Sequence, residues 1–252
     1  MPYDPSDHIP AMLVSYVYLD RFFAHRHLYS YRDWALDSGA FSAHNSGTVI
    51  DVNEYIDTCN QLLETEPGLV EVFFLDVIGD WEASMRNTET MWAAGLKAIP
   101  CYHAGEPEEA LTIMAQDYPK IALGGVARVR SKPKLAWAKA CFARVWPKAI
   151  HGFGYGSASA VMSLPWHSTD ATNWETGPCA FGRWFAYGGD MSVRGGFQNL
   201  RAEVEWFVRL EQRARQRWAT EMDRLGVGPV TVRLANACNS ASRLRTLEGG
   251  QP

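Results

Sequence analysis

The chain has 252 residues, a length that fits one α/β barrel better than two independent domains. Its 47% hydrophobic and 21% charged residues exclude a disordered or fibrous chain, and its net charge of −4 excludes a uniformly basic nucleic-acid-binding domain. Any contact with nucleic acid must therefore come from a local basic patch.

The five cysteines lie far apart and form no C-x-x-C pair, which argues against a disulfide framework or a compact zinc site. No apolar run approaches the roughly 18 residues that cross a bilayer, and the first ten residues lack a basic segment followed by an apolar one. These features predict a soluble, cytoplasmic protein with no membrane partner, no bound metal and no cofactor.

Apolar strands alternate with amphipathic helices along the chain. Strands are predicted at residues 12–18, 34–36, 72–75, 97–102, 120–123, 148–153, 164–169 and 179–187. Helices are predicted at residues 19–29, 52–63, 82–94, 107–116, 134–145, 157–162 and 200–217, with Asp51 as an N-cap and Gly95 as a C-cap.

This alternation predicts a single-domain (β/α)8 TIM barrel in residues 1–225, with a doubly wound open sheet as the second choice. Residues 226–252 are predicted to form an appended C-terminal segment that frays at its end.

Polar residues and glycines fall at or just after the carboxyl ends of the predicted strands, which is the end that carries the active site in barrels. These residues are Asp37, Asp76, His103, Gly124, Gly125, His151 and Asp170. A single aspartate at a strand end is often only a helix cap, so it is their recurrence that indicates a site.

The first of these positions opens the run Asp37-Ser38-Gly39-Ala40-Phe41-Ser42. Ser38 and Gly39 let the backbone turn tightly beneath the carboxylate, and Phe41 is placed to stack on a planar ligand. The alternative is an ordinary turn with Phe41 buried.

The next positions favour recognition of a base. Asp76 follows a run of apolar residues, so it needs a donor-rich partner such as the N1–H and amine of guanine, unless it caps the next helix. Gly124 and Gly125 allow backbone N–H groups to approach a ligand carbonyl, or they form a plain turn. His103 and His151 are candidate polar contacts, or they simply pack.

Asp170 lies among hydroxyl and amide side chains that favour its ionised form. Two carboxylates about 5 Å apart are the standard arrangement for retaining chemistry at a glycosidic carbon. We therefore pair Asp170 with Asp37, while a helix cap remains the alternative for Asp170.

The run from Asp37 to Ser42 resembles the Asp-Ser-Gly-Gly-Phe-Gln motif of tRNA-guanine transglycosylases, which are (β/α)8 barrels. The later motifs occur in the same order. The residues Ala40-Phe41-Ser42, Gly152-Phe153-Gly154 and Ser168-Thr169-Asp170 look closer to the DNA-guanine transglycosylases of bacteriophages and bacterial islands, which insert 7-deazaguanine bases into DNA. The cysteine-and-histidine zinc site of the tRNA enzymes is missing from this sequence.

The resemblance implies that Asp170 attacks C1′ of the nucleoside and that Asp37 protonates the departing guanine. It implies that Asp76, Gly124 and Gly125 hold the base edge. The implied partners are a DNA substrate, guanine and a free 7-deazaguanine base (preQ0-like), and the implied compartment is the host cytoplasm if a phage encodes the chain. A homodimer is left open.

A basic segment is predicted to bind the phosphates of the DNA backbone and contains Arg128, Arg130, Lys132 and Lys134. The alternative is that it is only a solvated loop. Three other functions stay open. They are a transglycosylase acting on RNA, a nucleoside hydrolase or lyase, and a catalytically silent barrel that only binds nucleic acid.

Overall fold

A computed structural model describes residues 9–28, 30–127, 129–190, 192, 197–228 and 230–235. Its strands are β1 (Ala11–Ser15), β2 (Trp34–Asp37), β3 (Leu69–Val72), β4 (Cys101–His103), β5 (Lys120–Gly124), β6 (Ala149–Gly152), β7 (Ser168–Ala171) and β8 (Thr231–Ala235). Its α-helices are α1 (Leu19–His25), α2 (Ala40–Ser46), α3 (Val52–Thr65), α4 (Trp81–Ala93), α5 (Glu108–Asp117), α6 (Ser131–Val145), α7 (Ala158–Val161), α8 (Asn173–Phe181) and α9 (Phe197–Leu225).

The eight strands are parallel and form one sheet in the order β3-β2-β1-β8-β7-β6-β5-β4. A parallel bridge between Phe73 and Ile99 joins its two ends. Two backbone bonds make this connection, from Phe74 N–H to Ile99 (3.0 Å) and from Ile99 N–H to Val72 (2.9 Å). The predicted (β/α)8 barrel architecture is therefore confirmed.

The helices cover this sheet with apolar faces, as α3 illustrates. Asp51 caps its start by accepting bonds from Asn53 N–H and Glu54 N–H, as predicted. Its buried residues are Tyr55, Ile56, Cys59 and Leu62, whose spacing forms one stripe toward the strands. Full burial of such side chains contributes roughly 1.5–3 kcal/mol each, so the stripe fixes the helix on the barrel.

The eighth strand was predicted at the wrong place. Residues 179–187 fall in α8 and in a short 3-10 helix at Phe185–Tyr187, and Gly182 ends α8 in the left-handed conformation (φ 63°). The eighth strand is β8, which pairs with both β1 and β7. It lies within residues 226–252, so the predicted boundary of the barrel at residue 225 is also wrong.

Three other strands are shifted along the chain. β3 ends at Val72, so Asp76 lies in the loop that follows, four residues past the strand. β4 is short and ends on His103, while β7 begins at Ser168 and contains Asp170. These shifts leave the three aspartates near the carboxyl ends of their strands, which is what positions the site.

A buried ionic cluster fills the opposite, amino-terminal end of the barrel. Arg233 of β8 binds Asp33 and also Glu71 of β3, the latter at 3.2 Å. Glu71 is further bonded to Lys120 and to His167 (3.0 Å). Burial alone would raise the pKa of Glu71, but these partners outweigh it and lower that pKa.

The seam between β3 and β4 leaves a cleft of about 260 Å³ on the barrel wall. Its lining is mostly apolar and includes Leu63, Val70, Trp92 and Leu96. The cleft contains none of the predicted site residues. Among the described helices, none is both long and apolar enough to cross a membrane.

Candidate active site

Three carboxyl groups meet at the carboxyl-terminal end of the barrel: Asp37, Asp76 and Asp170. Burial, followed by the negative charges of Asp76 and Asp170, raises the pKa of Asp37 to about 7. Burial raises the pKa of Asp170 to about 6, although the Gly154 N–H and the Lys134 charge oppose the shift. At neutral pH the site therefore combines a carboxyl that readily holds a proton with one that is largely ionised.

The turn after β2 places Asp37 at this end. Gly39 adopts the left-handed conformation (φ 72°) and donates its N–H to Asp37 Oδ2 at 3.2 Å. A Cβ at position 39 would lie 2.5 Å from Ser15 Oγ, on the neighbouring strand. A larger residue would thus be strained both by its backbone and by this contact.

Asp76 is held by neighbours from two sides. Ser38 Oγ donates to its Oδ1 at 3.3 Å, and His103 Nε2 lies 3.5 Å from its Oδ2. Burial nevertheless raises the pKa of Asp76, and only 12% of its side chain is exposed. The predicted role as a cap falls instead to Asp80, which accepts a bond from Ala83 N–H at the start of α4.

His103 is fixed between two acidic residues. Its Nδ1 lies 3.0 Å from Glu106 Oε1, and its backbone N–H donates to Glu106 Oε2 at 2.8 Å. Burial disfavours the charged imidazole, but Cys101, Glu106 and Asp76 outweigh burial and raise the pKa of His103. The ring therefore carries a proton toward Asp76.

Gly124 and Gly125 have a packing reason to be glycines. A Cβ on Gly124 would lie 2.7 Å from Cys101 Sγ, and one on Gly125 would lie 2.9 Å from His103 Cβ. Gly125 also has a φ of 71°. The pair lets β5 approach β4 closely behind His103, and the exposed backbone at Gly125 remains available to a ligand.

Asp170 is oriented from β7 by the glycine-rich loop after β6. Gly154 N–H donates a short bond to Asp170 Oδ1. Lys134 of α6 bonds to the Gly154 carbonyl, and its Nζ lies 4.7 Å from the centre of the Tyr155 ring. The position of Lys134 puts its positive charge beside Asp170, and its contact with phosphate stays a prediction.

His151 lies behind Asp170 and is fully buried. Its Nε2 is 3.8 Å from Asp170 Oδ1, and its Nδ1 is 2.9 Å from Ser168 Oγ. The ring packs against Phe73 and Phe153, with centroids 4.6 Å and 4.5 Å away. Burial lowers the pKa of His151 well below its ordinary value, so the ring is neutral.

The remaining predicted residues lie at the edge of this cluster. Phe41 is 53% exposed on α2, so it is not buried in the core and is free to contact a ligand. Arg130 and Lys132 are exposed at the start of α6. Arg128 lies outside the described residues.

Two contributions were missed by the sequence interpretation. Glu106 orients His103, and the spacing His103-x-x-Glu106 just before α5 was the available signal. The Gly154 N–H on Asp170 had only a weak signal, since a glycine-rich loop does not reveal which carboxylate its backbone contacts.

The acidic cluster is not arranged as a metal centre. Within the described part of the chain, no group of three or more His, Cys, Asp or Glu side chains is placed to hold a metal ion.

Comparison of the chain with protein-family models, curated proteins and solved structures found no match.

Proposed function

We propose that this protein is a base-exchanging transglycosylase that replaces guanine in DNA with a 7-deazaguanine base. The observation that carries the proposal is the clustering of Asp37, Asp76 and Asp170 at the carboxyl-terminal end of the barrel, where burial raises the pKa of Asp37 to about 7 and that of Asp170 to about 6. Two carboxyls in different protonation states supply a proton donor and a nucleophile at the same pH.

In the first half-reaction, an Asp170 oxygen attacks C1′ of the target nucleotide. Gly154 N–H is bonded to Oδ1, so we assign the attack to Oδ2. The C1′–N9 bond breaks, and its electron pair leaves with the base, which takes the proton held by Asp37. The products are free guanine and an ester between Asp170 and the sugar.

The second half-reaction reverses these steps with the incoming base. Asp37, now ionised, removes the proton from N9 of the deazapurine. The nitrogen attacks C1′, and the C1′–Oδ2 bond breaks, which returns its electron pair to the Asp170 carboxylate. Asp37 regains its proton, so protons and electrons balance over the cycle.

Asp76 is the proposed acceptor for the donor edge of the base. Ser38 and His103 fix its carboxyl, and two donors on one guanine edge match two oxygens in a plane. The exposed Phe41 ring on the same rim is the proposed stacking surface.

Exchange of labelled guanine into DNA tests the proposal. We expect incorporation into a guanine-containing oligodeoxynucleotide duplex, and a covalent protein–DNA adduct at Asp170 after denaturing quench. Asp170→Ala should abolish both signals and leave DNA affinity largely intact. A fully active Asp170→Ala variant would refute the assignment.

Matched substrates separate the other candidate functions. Exchange into tRNA but not DNA would assign the enzyme to RNA, and release of guanine without incorporation would indicate a hydrolase. The control is Asp57→Asn, which removes an exposed carboxyl on α3 far from the cluster and should retain exchange.

A further inference from the structure

We propose that His151 is a positioning residue that stabilises the Asp170 carboxylate as it leaves C1′ in the second half-reaction. This inference rests on the proposed function, and it adds a residue for which the sequence indicated only a generic polar contact. It depends on a buried nitrogen that has no hydrogen-bond partner among the described residues.

That nitrogen is His151 Nε2, and the nearby acceptor is Asp170 Oδ1 at 3.8 Å. The distance exceeds that of a hydrogen bond, so in the free protein the two groups interact only electrostatically. An unpaired polar atom in a fully buried position is costly, and such atoms are often functional when they face a reacting group.

The neighbours of the ring decide which nitrogen carries the proton. The ring is neutral, so only one nitrogen is an N–H group. If Nδ1 carried it, the Nε2 lone pair would face the Asp170 carboxylate, which is repulsive. The favoured form has the proton on Nε2, with Ser168 Oγ–H donating to Nδ1 at 2.9 Å.

This arrangement aims two N–H donors at the same oxygen, those of Gly154 and His151. When the ester forms through Oδ2, Oδ1 becomes its carbonyl oxygen. As the C1′–Oδ2 bond breaks, negative charge returns to the carboxylate, and donors at Oδ1 stabilise that charge. The His151 N–H therefore favours the free carboxylate over the ester.

The ring is also held rigidly, as a positioning residue must be. Phe73 and Phe153 both pack against it, and their own ring centroids lie 4.7 Å apart, so the three rings form one cluster. Titratable and charged groups on several elements influence it electrostatically: Glu71 of β3, Lys120 of β5, His167 before β7 and Arg233 of β8. Asp170 itself is influenced by Lys134 of α6 and interacts with Asp37 of β2.

The test compares His151→Asn with His151→Gln. The Asn amide reaches the Nδ1 position and keeps a partner for Ser168, whereas the Gln amide reaches the Nε2 position and keeps a donor toward Asp170. We expect His151→Asn to slow guanine exchange about tenfold, less than the roughly 100-fold effect of a full oxyanion-hole donor. His151→Gln should restore most of the rate.

A second measurement separates positioning from packing. With DNA and no incoming base, His151→Asn should accumulate at least a few-fold more covalent adduct than the parent, because the free carboxylate has lost a donor. The acid limb of the pH–rate profile for guanine exchange by His151→Asn should also move to higher pH, because the lost donor raises the pKa of Asp170. A merely structural role predicts less adduct and an unchanged pH profile.

The outcomes distinguish the two proposals. Absence of adduct in the parent protein would refute the proposed function. Adduct in the parent without an increase in His151→Asn, or equal losses in the Asn and Gln variants, would refute the role of His151. If His151→Asn does not fold, Ser168→Ala gives the answer. Without the Ser168 hydroxyl, the His151 proton is free to move from Nε2 to Nδ1, so the amount of covalent adduct should rise. No rise in adduct would overturn the role of His151.

Discussion

The two ends of the barrel both bury carboxylates, but with opposite consequences. At the amino-terminal end, Arg233 holds Asp33 and Glu71, and cations outweigh burial to lower the pKa of both acids. At the carboxyl-terminal end, burial raises the pKa of Asp37, Asp76 and Asp170. Carboxyl groups are buried at both ends, but only at the amino-terminal end do the neighbouring groups outweigh the effect of burial on the pKa.

This difference separates stability from chemistry within one fold. A buried carboxylate held by several cations stays ionised and fixes neighbouring elements together, whereas Asp37, with a pKa of about 7, exchanges its proton near neutral pH. Lys134 is the cation beside Asp170, and it does not cancel the effect of burial. The following predictions test this contrast.

The largest effect is expected from breaking the pairing at the amino-terminal end. Arg233→Leu leaves Asp33 and Glu71 without their shared cation and should lower the free energy of unfolding by about 3–5 kcal/mol. Urea denaturation measures this change. The control is Arg144→Leu, which removes an exposed pair with Glu108 and should cost under about 1 kcal/mol. Similar losses in the two variants would contradict the contrast.

A smaller effect is expected from neutralising the carboxyl-terminal end. Asp37→Asn removes the proposed proton donor and should lower guanine exchange by about 10²–10⁴-fold. The same change should not destabilise the protein at pH 8, since it removes an unfavourable buried charge. Exchange rates and urea denaturation report the two effects, and a large loss of stability would mean that Asp37 is structural.

The pH dependence of stability should separate the two ends. Asp37 has a raised folded-state pKa, so its protonated form favours folding, and its contribution is lost as the pH rises from about 4 through about 7. Asp33 and Glu71 have lowered values, so their contribution is lost as the pH falls below about 4.

We expect the parent to lose roughly 2 kcal/mol relative to Asp37→Asn between pH 5 and pH 8. Urea denaturation of both proteins at the two pH values measures this difference. A parallel pH dependence in the two proteins would show that Asp37 titrates normally.

The smallest effect concerns DNA contact at the edge of the site. The double variant Arg130→Ala with Lys132→Ala should weaken DNA affinity only a few-fold in moderate salt. The slope of the logarithm of the binding constant against the logarithm of the salt concentration should become shallower by up to about two. The control is Lys97→Ala with Lys148→Ala, which changes lysines that precede β4 and β6 on the opposite end. An equal loss in both double variants would exclude a specific contact.

Much of the barrel was predictable because its signals are local. Asp51 and Gly95 marked helix ends, and β2 and β5 were predicted within one residue because their apolar runs are bounded by polar residues and glycines. The strand-end position of Asp37 followed from the same signals. The candidate site residues were therefore identified from local turn and cap signals, together with the rule that the active site of a barrel lies at the carboxyl ends of its strands.

The errors have a common physical origin in long-range pairing. β8 was missed because Arg233 looks unsuitable for a buried strand until Asp33 and Glu71 are placed beside it. The aromatic residues near Trp184 looked like a strand, but Glu203 of α9 binds the N–H groups of Phe185 and Ala186 and stabilises a 3-10 turn there. Neither partner is close in sequence.

The same limit applies inside the site. No local pattern indicated that Asp76 would face His103, or that Lys134 would bond to the Gly154 carbonyl beside Asp170. Sequence spacing indicates which strand ends carry polar residues, but it does not indicate which of them touch.

The single bridge between Phe73 and Ile99 gives the ring one weak joint. Elsewhere each strand pairs with its neighbour through at least two residue pairs, but here a single bridge with two main-chain bonds closes the wall. Phe73 also packs on His151, and three residues later the same segment carries Asp76. Slippage at this joint would move Asp76 relative to Asp37 and Asp170, so the spacing of the three carboxyl groups depends on two main-chain bonds.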